Sequence, residues 1–250
     1  MSGGFDAVLA AAIVVEARRN KSKIQDLPAQ AQPATIEDGY AIQDAIALLS
    51  PAVGGWKASF EPDGETARVA PVAGEYVVAS HNAAMPGAVR VEVEFAVRLI
   101  ADLPQAAAPF DRAAVDRAIG PALVVFEILG TRFADRKLVS PHAYLADGNG
   151  NDAIVIGDEI ADWRALDLAA LEVCLHVDGH EAGRVQTGAP FSRVLELITA
   201  LANHAARHLG GLKAGQVIIT GARVGPVAIA AGSVAVGSIN GQAKVALKVT

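Results

Sequence analysis

Three glutamates occupy positions where strand-rich segments rarely carry carboxylates. Glu92 and Glu94 belong to the alternating stretch 91–95, and Glu127 lies inside the apolar run 122–129. Successive side chains of a strand point to opposite faces, so Glu92 and Glu94 share one face at a separation of about 6.5–7 Å. Two such carboxylates repel each other, and an unpaired buried carboxylate is costly. One divalent cation bound by all three glutamates would remove both penalties.

The ligand chemistry of such a site favours a hard cation. Only oxygen ligands are offered, which indicates Mg²⁺ or Mn²⁺ rather than zinc. The pattern has a second interpretation, in which Glu127 pairs with Arg132 and the strand 89–99 is exposed to solvent. Its outward face would then carry Arg90, Glu92, Glu94 and Arg98. Both interpretations are open on the pattern alone.

Lys57 is a candidate acid/base group. It ends the segment Gly54-Gly55-Trp56-Lys57, where a glycine turn leads into a strand. A lysine desolvated beside a tryptophan would have a depressed pKa, as general acid/base lysines often do. The alternative is an ordinary exposed lysine, and the residue pattern alone favours that alternative.

Two further groups of polar residues are weaker candidates. The turn 147–152 resembles a calcium loop, but the loop lacks the required sixth-position glycine and has Asp158 where the bidentate glutamate belongs. We therefore expect a polar turn near an active site. His204 and His208 lie four residues apart on a predicted helix that lacks the glutamate of the zinc-protease pattern. We therefore expect both histidines to be surface residues.

Composition excludes several classes of protein. The 250 residues suit one large domain or one domain with a small appendage, and a hydrophobic content of 52% is enough for a sizeable core. The net charge of −6 without any Lys/Arg cluster argues against nucleic-acid binding. No segment approaches the roughly 20 apolar residues that span a bilayer, so we expect no membrane partner. The single Cys174 suits a reducing compartment, and we expect a cytoplasmic protein.

Hydrophobic periodicity predicts an α+β fold around a rolled or barrel-like sheet. Helices are predicted at 5–19, from the capping segment 35–38 to just before Pro51, at 109–119, and from Pro190 to Gly210. Short Val-rich strands are predicted between 54 and 99, and Asp178-Gly179-His180 predicts a hairpin of 173–177 with 182–187. Strands are also predicted at 217–220, 227–230, 234–236 and 244–249.

Taken in order, several segments resemble the 2-keto-4-pentenoate hydratase and 4-oxalocrotonate decarboxylase branch of the fumarylacetoacetate hydrolase superfamily. The matching stretches span nearly the whole chain. They are Asp38-Gly39-Tyr40-Ala41-Ile42-Gln43, Gly55-Trp56-Lys57, Val91-Glu92-Val93-Glu94-Phe95-Ala96, Phe126-Glu127-Ile128 with Arg132, Leu145-Ala146-Asp147, Gly188-Ala189-Pro190, and 212–221 (Leu-Lys-Ala-Gly-Gln-Val-Ile-Ile-Thr-Gly).

The resemblance implies a helical N-terminal segment at 1–52 and a metal-binding domain at 53–250, with a mixed rolled β-sheet core and flanking helices, in a homo-oligomer. It implies that Glu92, Glu94 and Glu127 bind Mg²⁺ or Mn²⁺. Lys57 would be the acid/base group, and Asp147 a catalytic residue on the adjoining loop.

The activity that the resemblance implies is a metal-dependent hydratase in aromatic-compound catabolism. Its small-molecule substrate would be a 2-hydroxy-2,4-dienoate, converted to a 4-hydroxy-2-oxo acid. The alternatives are a decarboxylase or C–C hydrolase of a related 2-oxo acid, and a relative that binds a 2-oxo acid without turnover. A metal would stabilise the enolate in each reaction.

Three positions depart from the family pattern. Val72 replaces an aspartate near the substrate, Gly148 replaces the Asn of an Asp-Asn-Ala-Ser loop, and Ser59 replaces a glycine. Because Val72 has neither charge nor hydrogen bond to place a water molecule, we expect slow hydration of a short dienoate. We also expect its apolar surface to suit a bulkier or less polar substrate tail.

Overall fold

Two α-helices come first in the chain, and the strands follow with the remaining helices between them. The computed structural model describes residues 5–50 and 52–250, without the side chain of Asn82. The helices are α1 (Ala7–Arg19), α2 (Ile36–Leu48), α3 (Arg112–Ala118), α4 (Pro141–Ala146) and α5 (Phe191–His208). The strands are β1 (Val53–Phe60), β2 (Ala67–Ala73), β3 (Val77–Ala79), β4 (Ala84–Met85), β5 (Val89–Leu99), β6 (Leu103–Pro104), β7 (Ile119–Leu129), β8 (Asn151–Glu159), β9 (Glu172–Val177), β10 (His180–Gln186), β11 (Gly211–Leu212), β12 (Val217–Ile229), β13 (Val234–Ile239) and β14 (Ala243–Val249).

Seven strands form one curled sheet in the order β2-β1-β12-β5-β7-β8-β3. Within this sheet β1 pairs with β12 and β3 with β8 in parallel, and the other neighbours are antiparallel. A second sheet has the order β10-β9-β13-β14-β4, and β11 pairs with β6 in a two-stranded ribbon. The predicted α+β fold with a rolled, mixed sheet is confirmed.

The main hydrophobic core lies between one face of the curled sheet, the second sheet and α5. Val93 and Phe126 are buried on that face, and a side-chain carbon added at Gly237 of β13 would lie 3.1 Å and 3.0 Å from them. Helix α5 buries the apolar stripe that its spacing predicts, comprising Val194, Leu197, Ile198 and Leu201. Each fully buried side chain of this size contributes about 1.5–3 kcal/mol.

Strand alternation sends the three glutamates to the opposite face of the curled sheet. The inside of the curl next to them is filled by an apolar cluster of Val72, Ala96, Leu123, Val125, Ile154, Val217 and Ile219. A Cβ added at Gly55 of β1 would lie 2.8 Å from the Val217 carbonyl oxygen and 3.2 Å from Ile154. Glycine at this position therefore lets the strands approach closely enough to exclude water from the curl.

Helix α2 begins at the predicted capping segment. The Thr35 hydroxyl accepts from the Asp38 amide at 3.1 Å, and the Asp38 carboxylate accepts from the Thr35 amide at 2.9 Å. The helix ends at Leu48, while residues 1–4 and Pro51 lie outside the described residues. Helices α1 and α2 pack with α4 through a separate apolar cluster that includes Val14, Ile42 and Ala143.

Among the helices of the described residues, we find none with the length and apolar character that crossing a membrane requires. The predicted helix at 109–119 corresponds to the shorter α3, which begins after the Asp111 cap.

The predicted hairpin is confirmed, and one predicted strand break is wrong. Asp178 and Gly179 have φ values of 50° and 82°, and this left-handed turn joins β9 to β10. The predicted strands 217–220 and 227–230 form one continuous strand, β12. Its register with β5 shifts repeatedly between Ile219 and Val227, so the intervening glycines form bulges within the strand.

His204 and His208 are not the surface residues that we predicted. Their rings stack at 4.1 Å with an interplanar angle of 18°, and the ring of Tyr40 from α2 lies 4.3 Å from His204. His208 Nδ1 lies 2.9 Å from a carboxylate oxygen of Asp44. Burial of the His204 ring, aided by the neighbouring His208 charge, lowers its pKa to about 3. The prediction missed the helix that covers this face of α5.

Candidate metal centre

Adjacent strands bring the three glutamates together. Glu92 on β5 lies directly opposite Glu127 on β7, and Glu94 follows two residues later on the same face. Directly opposed Cβ atoms in a sheet lie about 4.5–5.5 Å apart, so like charges there destabilise the pair. One carboxylate oxygen from each glutamate lies within 4.8 Å of the others. The sheet register thus forms a triad that the sequence separates by more than thirty residues.

Two oxygens of this triad have no hydrogen-bond partner in the described part of the chain. Glu94 and Glu127 are both 0% exposed. The Gly221 amide donates to Glu94 Oε2 at 2.7 Å, and the Asn151 amide group donates to Glu127 Oε1 at 2.8 Å. The second oxygen of each, Glu94 Oε1 and Glu127 Oε2, is buried and unpartnered. Buried unpaired oxygens of this kind fit the requirements of a hard divalent cation.

Both parts of the second interpretation of the glutamates are wrong. A solvent-exposed strand face is excluded because Glu94 is fully buried and Glu92 is half-buried. Glu127 does not pair with Arg132, since its charged partner is Lys57. Arg132 instead forms ion pairs with Asp147 and Asp152. The charged partner of Glu127 therefore comes from β1, which lies three positions away from β7 in the sheet, and not from its sequence neighbour Arg132.

Lys57 extends from β1 into the triad. Its Nζ lies 2.9 Å from Glu127 Oε1 and donates to the Asn149 carbonyl oxygen at 3.2 Å. The side chain is 13% exposed, so the interpretation as an ordinary exposed lysine is wrong. Trp56 lies on the other face of β1, where its indole donates to Gln216, so it does not desolvate the ammonium.

The electrostatics of the triad oppose full ionisation of the carboxylates. Burial of Glu92, and after it the charge of Glu127, raise the pKa of Glu92 to about 7. The same two causes raise the pKa of the Glu94 carboxyl well above its ordinary value. Burial, the largest single cause, would lower the pKa of Lys57. The charge and hydrogen bond of Glu127 together with the charges of Glu94 and Glu92 outweigh it, and the pKa of Lys57 is raised. The predicted depressed pKa of Lys57 is therefore wrong.

The turn 147–152 is held against the triad by Arg132. The Asp147 carboxylate accepts from the Arg132 side chain, from the Arg132 amide at 2.7 Å and from the Thr131 hydroxyl at 2.7 Å. Arg132 also donates to Asp152 at 2.7 Å and to the Asn151 carbonyl oxygen at 3.0 Å. Both oxygens of Asp147 are thus engaged within the protein, and the turn it anchors supplies the contacts to Lys57 and Glu127.

Asn151 and Gly150 are site residues that the sequence did not single out. Asn151 is 2% exposed and orients Glu127, but an asparagine in a polar turn gives no sign of a distant partner. At Gly150, φ is 80° and an added Cβ would lie 1.9 Å from the Tyr144 hydroxyl. The close approach of this turn to Tyr144 therefore requires glycine.

A cleft of about 500 Å³ opens onto the triad. Glu92 and Lys57 reach it from the sheet, and Asn149 and Gly150 line it from the turn 147–152. The remaining lining side chains include Lys23, Arg90, Thr131, Arg136 and Tyr144. This volume is sufficient for a small organic acid beside the carboxylates.

Val72 lies on the sheet face of the triad but is only 2% exposed. It packs inside the curl with Val125 and Ile154, next to the strand positions of Glu94 and Glu127. The expectation that its apolar surface faces a substrate tail is therefore wrong for this structure. The side chain contributes to the water-excluding interior behind the carboxylates.

Several solved structures share this fold. The chain superposes on 4-oxalocrotonate decarboxylase from Pseudomonas putida G7, complexed with magnesium and adipate, with a TM-score of 0.81 and 20% identity over 98% of this chain and 97% of that one. Fumarylpyruvate hydrolase from Pseudomonas aeruginosa, complexed with Mn²⁺ and pyruvate, gives a TM-score of 0.52 and 14% identity over 78% and 88% of the two chains.

A third example is 5-carboxymethyl-2-hydroxymuconate delta-isomerase from Mycobacterium smegmatis, with a TM-score of 0.55 and 16% identity over 80% of each chain. None of the curated proteins matches the chain. The model of the fumarylacetoacetate (FAA) hydrolase C-terminal domain matches residues 56–250, a range that contains Lys57 and all three glutamates. The chain belongs to the fumarylacetoacetate hydrolase family.

Proposed function

We propose that Glu92, Glu94 and Glu127 bind one Mg²⁺ or Mn²⁺ and that the site acts on a 2-oxo acid or its 2-hydroxydienoate tautomer. The observation that carries the proposal is the pair of buried, unpartnered oxygens, Glu94 Oε1 and Glu127 Oε2. A carboxylate pair in this state is costly unless a cation neutralises it. The structures of relatives with magnesium and with Mn²⁺ support the same chemistry.

The bound cation supplies Lewis-acid stabilisation of negative charge on the substrate carboxylate and 2-oxygen. Lys57 supplies the proton chemistry. As an ammonium group, Lys57 first donates a proton to the substrate and afterwards accepts one. Glu127 and the Asn149 carbonyl oxygen hold Nζ in place. The cleft beside Lys57 gives the substrate access to this proton.

The reaction that we propose is hydration of a 2-hydroxy-2,4-dienoate to a 4-hydroxy-2-oxo acid in aromatic-compound catabolism. Proton transfer by Lys57 converts the dienol to a conjugated ketone, which accepts water at the distal alkene carbon. The family match and the cleft beside Lys57 support a tautomerisation step of this kind.

Decarboxylation of a related 2-oxo acid is the second candidate, and Val72 favours it. A buried valine at this position cannot place a water molecule, and decarboxylation needs no placed water. The relative that superposes with a TM-score of 0.81 is a decarboxylase. C–C hydrolysis requires an activated water, as hydration does, and receives no support from Val72.

We assign Asp147 a positioning role within this proposal. Because both of its oxygens are bound by Arg132 and Thr131, it acts on the site through the turn that it anchors. Asp147→Asn should weaken metal binding and turnover together. Unchanged metal affinity in this variant would return Asp147 to the catalytic role expected from the resemblance.

A homo-oligomer is part of the proposal. Exposed apolar side chains of the described residues, among them Leu48 at 82% and Leu138 at 74%, are candidate contacts of such an assembly. Light scattering during size-exclusion chromatography should give a mass well above the 25.7 kDa of one chain. A monomeric mass at micromolar concentration would contradict this part of the proposal.

Calorimetric titration with Mg²⁺ and Mn²⁺ tests the metal site. The wild type should bind one ion per chain, Glu127→Gln and Glu94→Gln should each weaken binding at least about tenfold, and the exposed Glu65→Gln should not. Unchanged affinity in both site variants would refute the proposal.

Product analysis of the metal-loaded protein then separates the reactions. A 4-hydroxy-2-oxo acid indicates hydration, CO₂ indicates decarboxylation, and two acids indicate C–C hydrolysis.

If neither 2-oxo acids nor dienoates are turned over by a protein that binds both metal and oxalate, the chain is a binding protein and the catalytic proposal is wrong.

A further inference from the structure

A second cavity, of about 430 Å³, lies on the face of β7 opposite the triad. Ile128 of β7 and Ala153 of β8 line it. These two residues pair in the sheet one position along from Glu127 and Ile154, so strand alternation directs their side chains away from the glutamates. The cavity is therefore a different space from the cleft that contains Lys57.

The cavity and the cleft share one boundary. Lys23, Gly130 and Thr131 line both spaces, so the segment that follows β7 lies between them. The end of α1 contributes Ala17 and Arg18 to the cavity, and neither residue lines the cleft. Most of the cavity lining is thus separate from the residues that a substrate at the triad would contact.

One part of the cavity lining is apolar. It consists of side chains that belong to the main hydrophobic core or pack against it, namely Val78, Met85, Val89, Ile128 and Ala153. A cavity of several hundred Å³ with such a lining can take the hydrocarbon part of a small organic ligand.

Arg18 brings an incompletely compensated charge to this lining. Its guanidinium lies 3.6 Å from the centre of the Tyr76 ring, and its Nη2 lies 3.5 Å from Asp152 Oδ1 and donates to the Asp152 carbonyl oxygen. Its Nε is buried and has no hydrogen-bond partner in the described part of the chain. Burial, and after it the charge of Arg132, lower the pKa of Arg18. An anion beside Arg18 would offset both effects.

The charges around the cavity favour a ligand with one negative charge. Asp152 accepts from Arg132 at 2.7 Å and is shared with Arg18, while Arg132 is also neutralised by Asp147. The remaining charged side chains of the lining are Arg18, Lys21, Lys23, Glu75 and Asp152. Three cations against two carboxylates leave an excess of one positive charge, which a monoanion would balance.

We propose that this cavity binds a monocarboxylate with an apolar body, at a site separate from that of the substrate. The carboxylate accepts from the guanidinium of Arg18, a group that can bind a carboxylate through two parallel hydrogen bonds. The hydrocarbon part lies against Val89 and Ile128. The inference does not depend on the proposed function, because it uses the face of β7 that carries no glutamate.

Benzoate and benzamide test the inference, because the two compounds share their shape and differ in charge. Calorimetric titration is carried out on the metal-free protein and on the metal-loaded protein saturated with oxalate, which would occupy the triad. In both states one benzoate should bind per chain, at least about tenfold more tightly than benzamide. Arg18→Gln should remove this preference. Val89→Phe fills the apolar part of the cavity without changing its charge and should weaken binding of both compounds.

Arg19→Gln is the matched control. It removes the same charge from the next residue of α1, which is exposed and lies outside the cavity, and it should retain the wild-type affinity for benzoate. If Arg19→Gln weakens benzoate binding as much as Arg18→Gln does, the effect is one of net charge and the inference is wrong.

Four other results also overturn the inference. They are no binding of benzoate by the wild type, equal affinity for benzoate and benzamide, unchanged benzoate binding in both cavity variants, and displacement of benzoate by oxalate in the metal-loaded protein. Displacement would place benzoate at the triad, so the proposed function would stand while the separate site would not.

Discussion

Replacing Lys57 with methionine separates an acid/base role from a structural one. Methionine retains an unbranched side chain but removes the charge that faces Glu127 at 2.9 Å. In the metal-free protein, the variant leaves a carboxylate that is 0% exposed without its cation. Breaking a buried ion pair in this way costs about 3–5 kcal/mol, and the 13% exposure of Lys57 favours the lower end.

The length of the chain determines how far this loss of stability lowers the melting temperature. For a chain of this length, 1 kcal/mol shifts the midpoint by about 2–4 °C, so about 3 kcal/mol corresponds to roughly 6–12 °C. A bound cation would neutralise Glu127 in place of Lys57. At a metal concentration about 100 times the dissociation constant, binding contributes about 2.7 kcal/mol to wild-type stability, and it should contribute more in Lys57→Met.

Melting curves with and without metal, together with turnover, provide the assay. Lys57→Met should melt well below the wild type without metal, should approach it at saturating metal, and should lose about 10²–10⁴-fold in turnover. The exposed Lys248→Met on β14 serves as a control and should change none of these quantities. An equal loss of stability with and without metal would refute the reasoning, because the lysine and the cation would then not neutralise the same carboxylate.

Two further predictions concern pH and the interior of the curl. Because the pKa of Glu92 is raised to about 7 in the folded protein, its contribution to metal-free stability is full below about pH 4.5 and is lost as the pH rises through about 7. Metal affinity should rise over the same range, since the cation competes with protons, and a flat calorimetric profile from pH 5 to 8 would contradict this. Val72→Asp buries a carboxylate among Val125 and Ile154, so the melting temperature of the variant should fall further at pH 8 than at pH 5. The variant should not hydrate 2-hydroxypenta-2,4-dienoate faster than the wild type does. Wild-type melting behaviour in this variant would show that the curl admits water.

The candidate ligands could be predicted because they violate local rules of composition. Glu92 and Glu94 stand at alternate positions of a strand, and Glu127 interrupts an apolar run, so each was conspicuous within a window of a few residues. The amphipathic stripe of α5 and the capping segment of α2 were predictable for the same reason. These features depend on side chains close together in the chain.

The partners of these residues could not be predicted because strand register decides them. Nothing near Lys57 indicates that β1 lies close enough to β7 for an ion pair with Glu127. The expected depressed pKa of Lys57 followed from its sequence neighbour Trp56, which alternation places on the other face. The second interpretation pairs Arg132 with Glu127 at the end of the same strand, yet Arg132 pairs with Asp147 across a turn that only the tertiary fold closes.

The surroundings of the triad restrict how a substrate can reach it. Behind the glutamates, Val125 and Ile154 fill the curl and exclude water, which strengthens electrostatic interactions on that side. In front of them the cleft is bordered by Lys57 and by other cationic side chains such as Arg90. The carboxylates that destabilise the metal-free protein therefore face the positive charge of the cleft, and an anionic substrate can contact that charge only from the cleft. The cationic side chains of Lys23, Arg90 and Arg136 line the same cleft as Lys57 and Glu92, so their charge favours the approach of an anionic substrate to the triad.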